Sequence, residues 1–324
     1  MTKQSNQIMA EMQVRKSKKQ KEHFRAWLCG ELEAAGYAPT VEKGFAARNV
    51  VVGDPDKAQV LLTAHYDTQA VLPIPNFITP RNLFFFLLYQ IAIVLPLLIA
   101  IAVAEGVLLS VGNALGAGDT LAGTLVLTIL MPLTSMGICI FFIWWILDGK
   151  ANKHTANDNT SGVLTLVETA LALPPEHRER VCFVFFDNEE KGMFGSAAFA
   201  KKHKQVKKKT TVLNFDCVGD GDSIQFFPQK KLKKDKAALQ RIEAAFLPTR
   251  GKDVQVVRSF SMYPSDNANF KRGAGVCALK HKKVIGYYMD RIHTGKDTVL
   301  DEANIALLRD GALRYIAGLD GQGG

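Results

Sequence analysis

The hydrophobic positions of this chain fall into two regimes. Residues 83–104 and 121–147 are apolar without a single charge, over 22 and 27 residues. About 20 apolar residues cross the hydrocarbon core of a bilayer, so each run has the length of a membrane-spanning helix. Pro96 and Pro132 lie inside the runs, and membrane helices tolerate internal proline better than soluble ones. Trp144 and Trp145 stand where an aromatic belt would meet the interface. Elsewhere the apolar runs are short. Residues 49–53 and 59–65 read as strands joined by the turn Gly53-Asp54-Pro55, and 181–186 as a buried strand. Further strands are expected at 211–215, 275–278 and 285–288. Helical spacing marks 24–37 with a stop near Gly36, 161–173 ahead of Pro174-Pro175, 195–203 and 301–317. Segment 249–270 is irregular and has room for binding loops. Strands alternating with helices predict a layered α/β sheet.

Charge sharpens this division. Residues 83–147 hold only Glu105 and Asp119, whereas the other 259 residues carry 40 Lys+Arg and 29 Asp+Glu. That pattern excludes a disordered chain and a small disulfide scaffold. The five cysteines are widely spaced with no CxxC, as expected of free thiols in a reducing compartment. The first 28 residues are charged throughout and lack the apolar core of a signal peptide. Their periodicity suggests an exposed basic helix or tail over 1–23. The link between the two apolar runs lacks Lys and Arg, while Arg81, Lys150 and Lys153 flank them outside. The positive-inside rule then expects a two-span hairpin in the cell or inner membrane, with everything else cytoplasmic. The basic runs 15–21, 201–209 and 230–236 are candidates to rest on anionic lipid. They lack interleaved aromatics, so no nucleic-acid role is expected.

The candidate chemistry follows the strands. LLTAHYDT carries His65 and Asp67, and HTANDNTSG carries Asp158. FVFFDNEEKG carries Asp187, Glu189 and Glu190, and TVLNFDCVG carries Asp216. YYMDRIHTGKDT carries Asp290, His293 and Asp297. Groups at the carboxyl ends of sheet strands converge on one crevice. Imidazole with carboxylate and no thiolate suits zinc or a similar divalent metal in a catalytic role. Two histidines and three or more acids exceed the needs of one metal. A pair of ions sharing a carboxylate would use them.

The motifs His65-Tyr66-Asp67-Thr68, Asp158-Asn159-Thr160-Ser161-Gly162, Asp187-Asn188-Glu189-Glu190-Lys191-Gly192 with Phe194-Gly195-Ser196, Asn214-Phe215-Asp216 and Ile292-His293-Thr294 resemble the co-catalytic di-zinc aminopeptidase family. Glutamate carboxypeptidase and glutaminyl cyclase are among its relatives. The resemblance covers 24–37, 49–68 and 157–316 in order. It implies a three-layer α/β/α sandwich with a mixed central sheet, here interrupted by the transmembrane hairpin. The chain then divides into the basic segment 1–23, a zinc peptidase domain from 24–80 and 150–324, and the inserted hairpin 81–149. The resemblance also implies roles. His65 and Asp216 would hold one metal, Glu190 and His293 the other, and Asp158 would bridge them. Asp67 would orient the His65 imidazole, and Glu189 would be the general base. The expected cofactors are two divalent ions, with zinc the expected metal, and the expected partners are a peptide substrate and membrane lipid.

Two departures stand out. Where the family often has Ser-Asp-His in the loop that shapes the substrate site, this chain has Ser265-Asp266-Asn267. Asp67 and Asp158 lie 91 positions apart (158 − 67), where the family has a short loop, and the apolar hairpin fills the gap. Both ends of the hairpin are therefore tied to metal-site loops, and the mouth of the site is expected to face the membrane. The leading expectation is a membrane-anchored aminopeptidase. A glutaminyl cyclase-like acyltransferase and a non-catalytic membrane scaffold of the same fold are the alternatives. The intact Asp-Asn-Thr-Ser-Gly segment and the full ligand set favour the peptidase.

Overall fold

The computed structural model describes residues 1–72 and 74–319. Its strands are β1 Pro39–Gly44, β2 Ala47–Val52, β3 Val60–His65, β4 Val181–Phe186, β5 Thr211–Phe215, β6 Ser223–Pro228, β7 Asp253–Val256, β8 Gly273–Lys282 and β9 Gly286–Tyr288. They form one mixed sheet in the order β1-β2-β4-β3-β5-β8-β6-β7, with β9 paired to β8. The centre, β4-β3-β5-β8, is parallel. β2 and β6 flank it antiparallel. The helices are α1 Lys3–Glu11, α2 Lys18–Ala34, α3 Leu83–Ala114, α4 Leu121–Asp148, α5 Gly162–Ala172, α6 Phe194–Lys202, α7 Lys204–Lys209, α8 Lys230–Lys233, α9 Lys236–Ala245 and α10 Glu302–Ala317.

Strand β4, VCFVFF, shows why the central strands are apolar at every position: both faces are covered. Phe183 and Phe185 join the core formed with α1, α2, α5, α9 and α10. Cys182, Val184 and Phe186 pack on the other side against Phe199 and Ala200 of α6 and Val206 of α7. Helices on both faces of a mixed sheet make the three layers expected from the motifs. β1 and β6 were not legible in the pattern. β1 is an edge strand with mostly exposed, polar positions, and β6 ends in Pro228. The segment expected to be irregular contains β7.

The amino-terminal segment differs from the expected exposed helix. Two helices, α1 and α2, are separated by a turn, and α2 opens with a capping box between Ser17 and Gln20. Ile8 and Met12 enter the main core, so the segment packs as part of the body. Arg15 is fully buried, and Lys21 pairs with Asp187 at 2.7 Å. These two basic residues are therefore unavailable to lipid. The other two basic runs touch where Lys231 Nζ donates to the Lys208 carbonyl at 2.8 Å, and Lys271 N, ahead of β8, donates to the Lys207 carbonyl at 2.9 Å. Residues 207 and 271 precede β5 and β8, at the amino ends of the parallel strands. The hairpin leaves the sheet from the opposite end, after β3.

Helices α3 and α4 are long and apolar enough to cross a membrane, and none of either apolar window is buried in the protein. A buried core helix is excluded by that exposure. α3 continues to Ala114 rather than stopping at residue 104, because Val107, Leu109 and Val111 extend its apolar surface. Most of the expected link is thus helical. The helices approach closely where Gly112 faces Leu127: a Cβ at Gly112 would lie 2.8 Å from Leu127 Cδ2. Ser135 donates a hydrogen bond to Glu105 between the two helices.

Candidate metal centre

Three parallel strands end side by side, and each delivers chemistry from its next residues. β3 ends on His65 and is followed by Asp67. β4 leads into Asp187, Glu189 and Glu190, and β5 leads into Asp216. The turn Ala156–Ser161 ahead of α5 brings in Asp158, and the loop after β9 brings in His293. Asp158 lies at the middle: its Oδ1 is 3.3 Å from His65 Nε2, and its Oδ2 is 2.7 Å from His293 Nε2. Asp216 Oδ1 stands 3.5 Å from His65 Nε2, and Glu190 Oε2 stands 3.4 Å from His293 Nε2. Two trios result, His65-Asp158-Asp216 and Asp158-Glu190-His293, with the donor atoms of each within 4.8 Å of one another. Glu189 joins His65 and Glu190 in a third such group.

The donor set fits divalent cations. It offers oxygen and imidazole nitrogen and no thiolate. Cys217, beside Asp216, is buried among carboxylates, and burial pushes its thiol well above the ordinary range, which keeps it protonated. Among the described residues Glu190 Oε1 is buried without a hydrogen-bond partner, a ligand atom with capacity to spare. Burial works against protonating the two imidazoles. Even so, Asp158, Asp216 and Asp67 raise His65 well above its usual value, and Glu190 and Asp158 do the same to His293. The crowd of carboxylates calls for positive charge at the imidazoles' ring nitrogens.

Glu189 is partly exposed at the cleft. Burial lifts its carboxyl well above the usual range, and neighbouring Glu190, Asp266 and Asp216 add to the lift against the pull of His65. Asp67 does two jobs. Its Oδ1 faces His65 Nδ1 at 3.5 Å, an electrostatic contact without hydrogen-bond alignment. Its two oxygens also accept from the backbone N–H groups of Glu189 at 3.0 Å and Glu190 at 3.2 Å. One carboxylate thus sets the β3 and β4 ends relative to each other.

Other residues hold the frame. Asn159 donates to the Phe215 carbonyl at 3.0 Å and accepts from Gly162 N and Cys217 N, which ties the Asp158 turn to the end of β5. Asp297 accepts from Asn157 N at 2.8 Å and Asp158 N at 3.0 Å, and burial near Asp158 pushes its carboxyl up to about 8. Arg15 donates to the Tyr66 carbonyl, and to Thr160 Oγ1 at 3.1 Å, so it clasps the β3 loop to the Asp158 turn. Nothing in the pattern around Arg15 distinguished it from a solvated basic run. Ser265 Oγ donates to Asp216 Oδ2 at 2.5 Å. Its neighbour Asp266 is buried, and burial with Asp67 and Asp216 nearby lifts its carboxyl to about 7. Two acids that follow strands are engaged elsewhere: Asp187 with Lys21 and Arg48 N, and Asp290 with Lys280.

Comparison with known proteins bears on the fold and the family. A "Probable leucine aminopeptidase" of Arthroderma otae is 26% identical over 166 residues, 48% of this chain and 45% of that protein. The chain thus spans about half the length of that curated relative. The crystal structure of the LapA aminopeptidase of Legionella pneumophila superposes with a TM-score of 0.57 at 16% identity, covering 98% of this chain and 68% of that one. Porphyromonas gingivalis glutaminyl cyclase superposes with a TM-score of 0.56 at 14% identity, covering 97% and 95%. At such identities the likeness establishes the fold. Residues 147–313, just over half the chain, match the description "Peptidase family M28", and the chain belongs to that family.

Proposed function

We propose that this chain is a membrane-anchored, zinc-dependent aminopeptidase that removes N-terminal residues from peptides. One observation carries the reading: Asp158 turns one oxygen to His65 and the other to His293, with Asp216 and Glu190 completing two trios beside Glu189. His65, Asp158 and Asp216 would hold one divalent ion, and Asp158, Glu190 and His293 a second. When bound, such a pair lowers the pKa of water and polarises a scissile carbonyl. Glu189 is the general base: a carboxylate lifted above its usual range by burial takes a proton from water and returns it to the leaving amine. Asp67 holds the Glu189 and Glu190 backbone while facing His65, so base and ligand keep their separation. Adjacent side chains at a strand end point apart, which lets Glu189 act while Glu190 binds.

The catalytic domain is read as 24–80 with 150–324, the segment 1–23 packing onto it and 81–149 forming the hairpin. Arg81, Lys150 and Lys153 at the hairpin roots support a cytoplasmic position for this body. Resistance of the full chain to carbonate extraction from membranes is expected, and release would overturn the anchoring. The activity is tested by incubating the purified full chain with aminoacyl-amides and a peptide library that includes N-terminal glutamine. Chelator-sensitive loss of N-terminal residues is expected. Cyclisation of N-terminal glutamine without hydrolysis would replace this reading with an acyltransferase, and no turnover in either assay would favour a scaffold.

A further inference from the structure

The two imidazoles are backed differently. His65 Nδ1 faces the carboxylate of Asp67. His293 Nδ1 lies 3.3 Å from the carboxamide of Asn76, a buried residue of the segment between β3 and α3. The carboxamide is held in turn by Tyr89, whose hydroxyl is 3.1 Å from Asn76 Oδ1. Tyr89 is in the second turn of α3, the first apolar helix of the hairpin. A hydrogen-bonded path therefore runs from that helix to the outer nitrogen of the His293 ring.

The surroundings show that this path is built in. Asn82 caps α3 by accepting from Phe85 N at 3.3 Å, and its amide donates to the Ile285 carbonyl at 3.0 Å. Ile78 and Met289 form a bridge with N–H to carbonyl distances of 2.9 Å both ways. Leu72 N donates to the His293 carbonyl at 3.0 Å, and Asn152, just past α4, donates to the Thr294 carbonyl at 3.0 Å. Both roots of the hairpin are stitched to the loop that carries His293.

We propose that Asn76 is a positioning residue for His293 and that Tyr89, from within the apolar hairpin, holds Asn76 in place, so that the hairpin is a working part of one half of the metal centre. A neutral imidazole that binds a cation through Nε2 carries its proton on Nδ1, and the group behind it must accept that proton. A carboxamide can do so through its oxygen while its NH2 turns to the tyrosine oxygen, since amide orientation follows the hydrogen-bond network. Asn76 thus does by an amide what Asp67 does by a carboxylate. The proposal rests on the two-metal reading above.

The test uses the full chain in lipid nanodiscs and titrates zinc against a chromophoric chelator. Wild type should take up two equivalents. Asn76→Leu should weaken one of the two by about tenfold or more, the usual effect of removing a partner behind a ligating histidine, and leave the other unchanged. Tyr89→Phe should weaken the same ion by about threefold, the scale of one neutral hydrogen bond. Asn76→Asp should restore binding, because a carboxylate accepts the Nδ1 proton. A general folding defect would weaken both ions and would not be rescued by aspartate, so that pattern overturns the proposal. Two ions bound with wild-type affinity in Asn76→Leu and Tyr89→Phe overturn it while leaving the two-metal reading intact. A wild type that takes up no zinc overturns both.

Discussion

The half of the site around His65 and the half around His293 use the same kinds of donor, yet they are anchored in different parts of the molecule. His65 and Asp216 follow neighbouring parallel strands, whose register holds them: Leu62 stands opposite Leu213, and Thr63 opposite Asn214. Asp67 backs the imidazole from the same strand end. His293 lies in a loop beyond β9, and its support comes from Asn76, Tyr89 and the hairpin roots. The first half is set by the sheet and the second by the chain that leaves it. Mutations should therefore separate the halves by what they disturb.

The largest effect is expected where the halves meet. Asp158→Asn should abolish binding of both ions, measured by elemental analysis, and lower kcat/KM by about 10³-fold. Retention of one full equivalent of metal would show that the halves stand apart. Glu189→Gln should lower kcat by about 10²–10⁴-fold while leaving both ions bound, because in the proposed mechanism it removes the base and not a ligand. Asp67→Asn should weaken zinc in the His65 half by about 10–100-fold, read by the same chelator titration. An equal weakening of the His293 half would show that its grip on the Glu190 backbone matters as much as its contact with His65. Arg15→Met should leave metal ligands in place but cost about 2–3 kcal/mol of stability in thermal melts, since a buried charged donor to a backbone carbonyl is lost. Lys191→Ala removes a half-exposed ion pair with Asp148 at the end of α4 and should change stability by less than about 1 kcal/mol.

The His65 half was the more legible in sequence. Each of its residues follows an apolar strand, and strand ends in a parallel sheet converge, so order along the chain translated into proximity. Asp158, Glu189, Glu190 and His293 were readable as members of motifs. Their partners were not. Arg15 and Asn76 acquire their contacts only when distant loops pack, and no local periodicity marks a residue for that. The same limit explains Asp187 and Asp290. They share the strand-end position of the candidate ligands, but Lys21 and Lys280, far off or across a hairpin, draw them away. The three layers were legible because β4 is apolar on both faces, whereas the edge strand β1 carries too few buried positions to leave a pattern. Charge along a sequence does not reveal which pole of the fold will display it: Lys16 of the first basic run reaches the Leu147 carbonyl at the end of α4, whereas Lys231 reaches the Lys208 carbonyl near the amino end of β5.

The placement of β3 has a consequence for how the protein is made. β3 is a central strand, yet both of its partners, β4 and β5, come after the hairpin in the chain. During synthesis β3 emerges first, then the two apolar helices, and only later the strands that will cover its edges. The helices are thus available to the insertion machinery while VLLTAH is still unpaired. An unpaired apolar strand is a hazard for aggregation, and its contacts here are long-range, the slow kind to form. On the proposed membrane anchoring, delayed helix insertion should therefore show itself first as misassembly of the body that carries the site, before any loss from the membrane fraction.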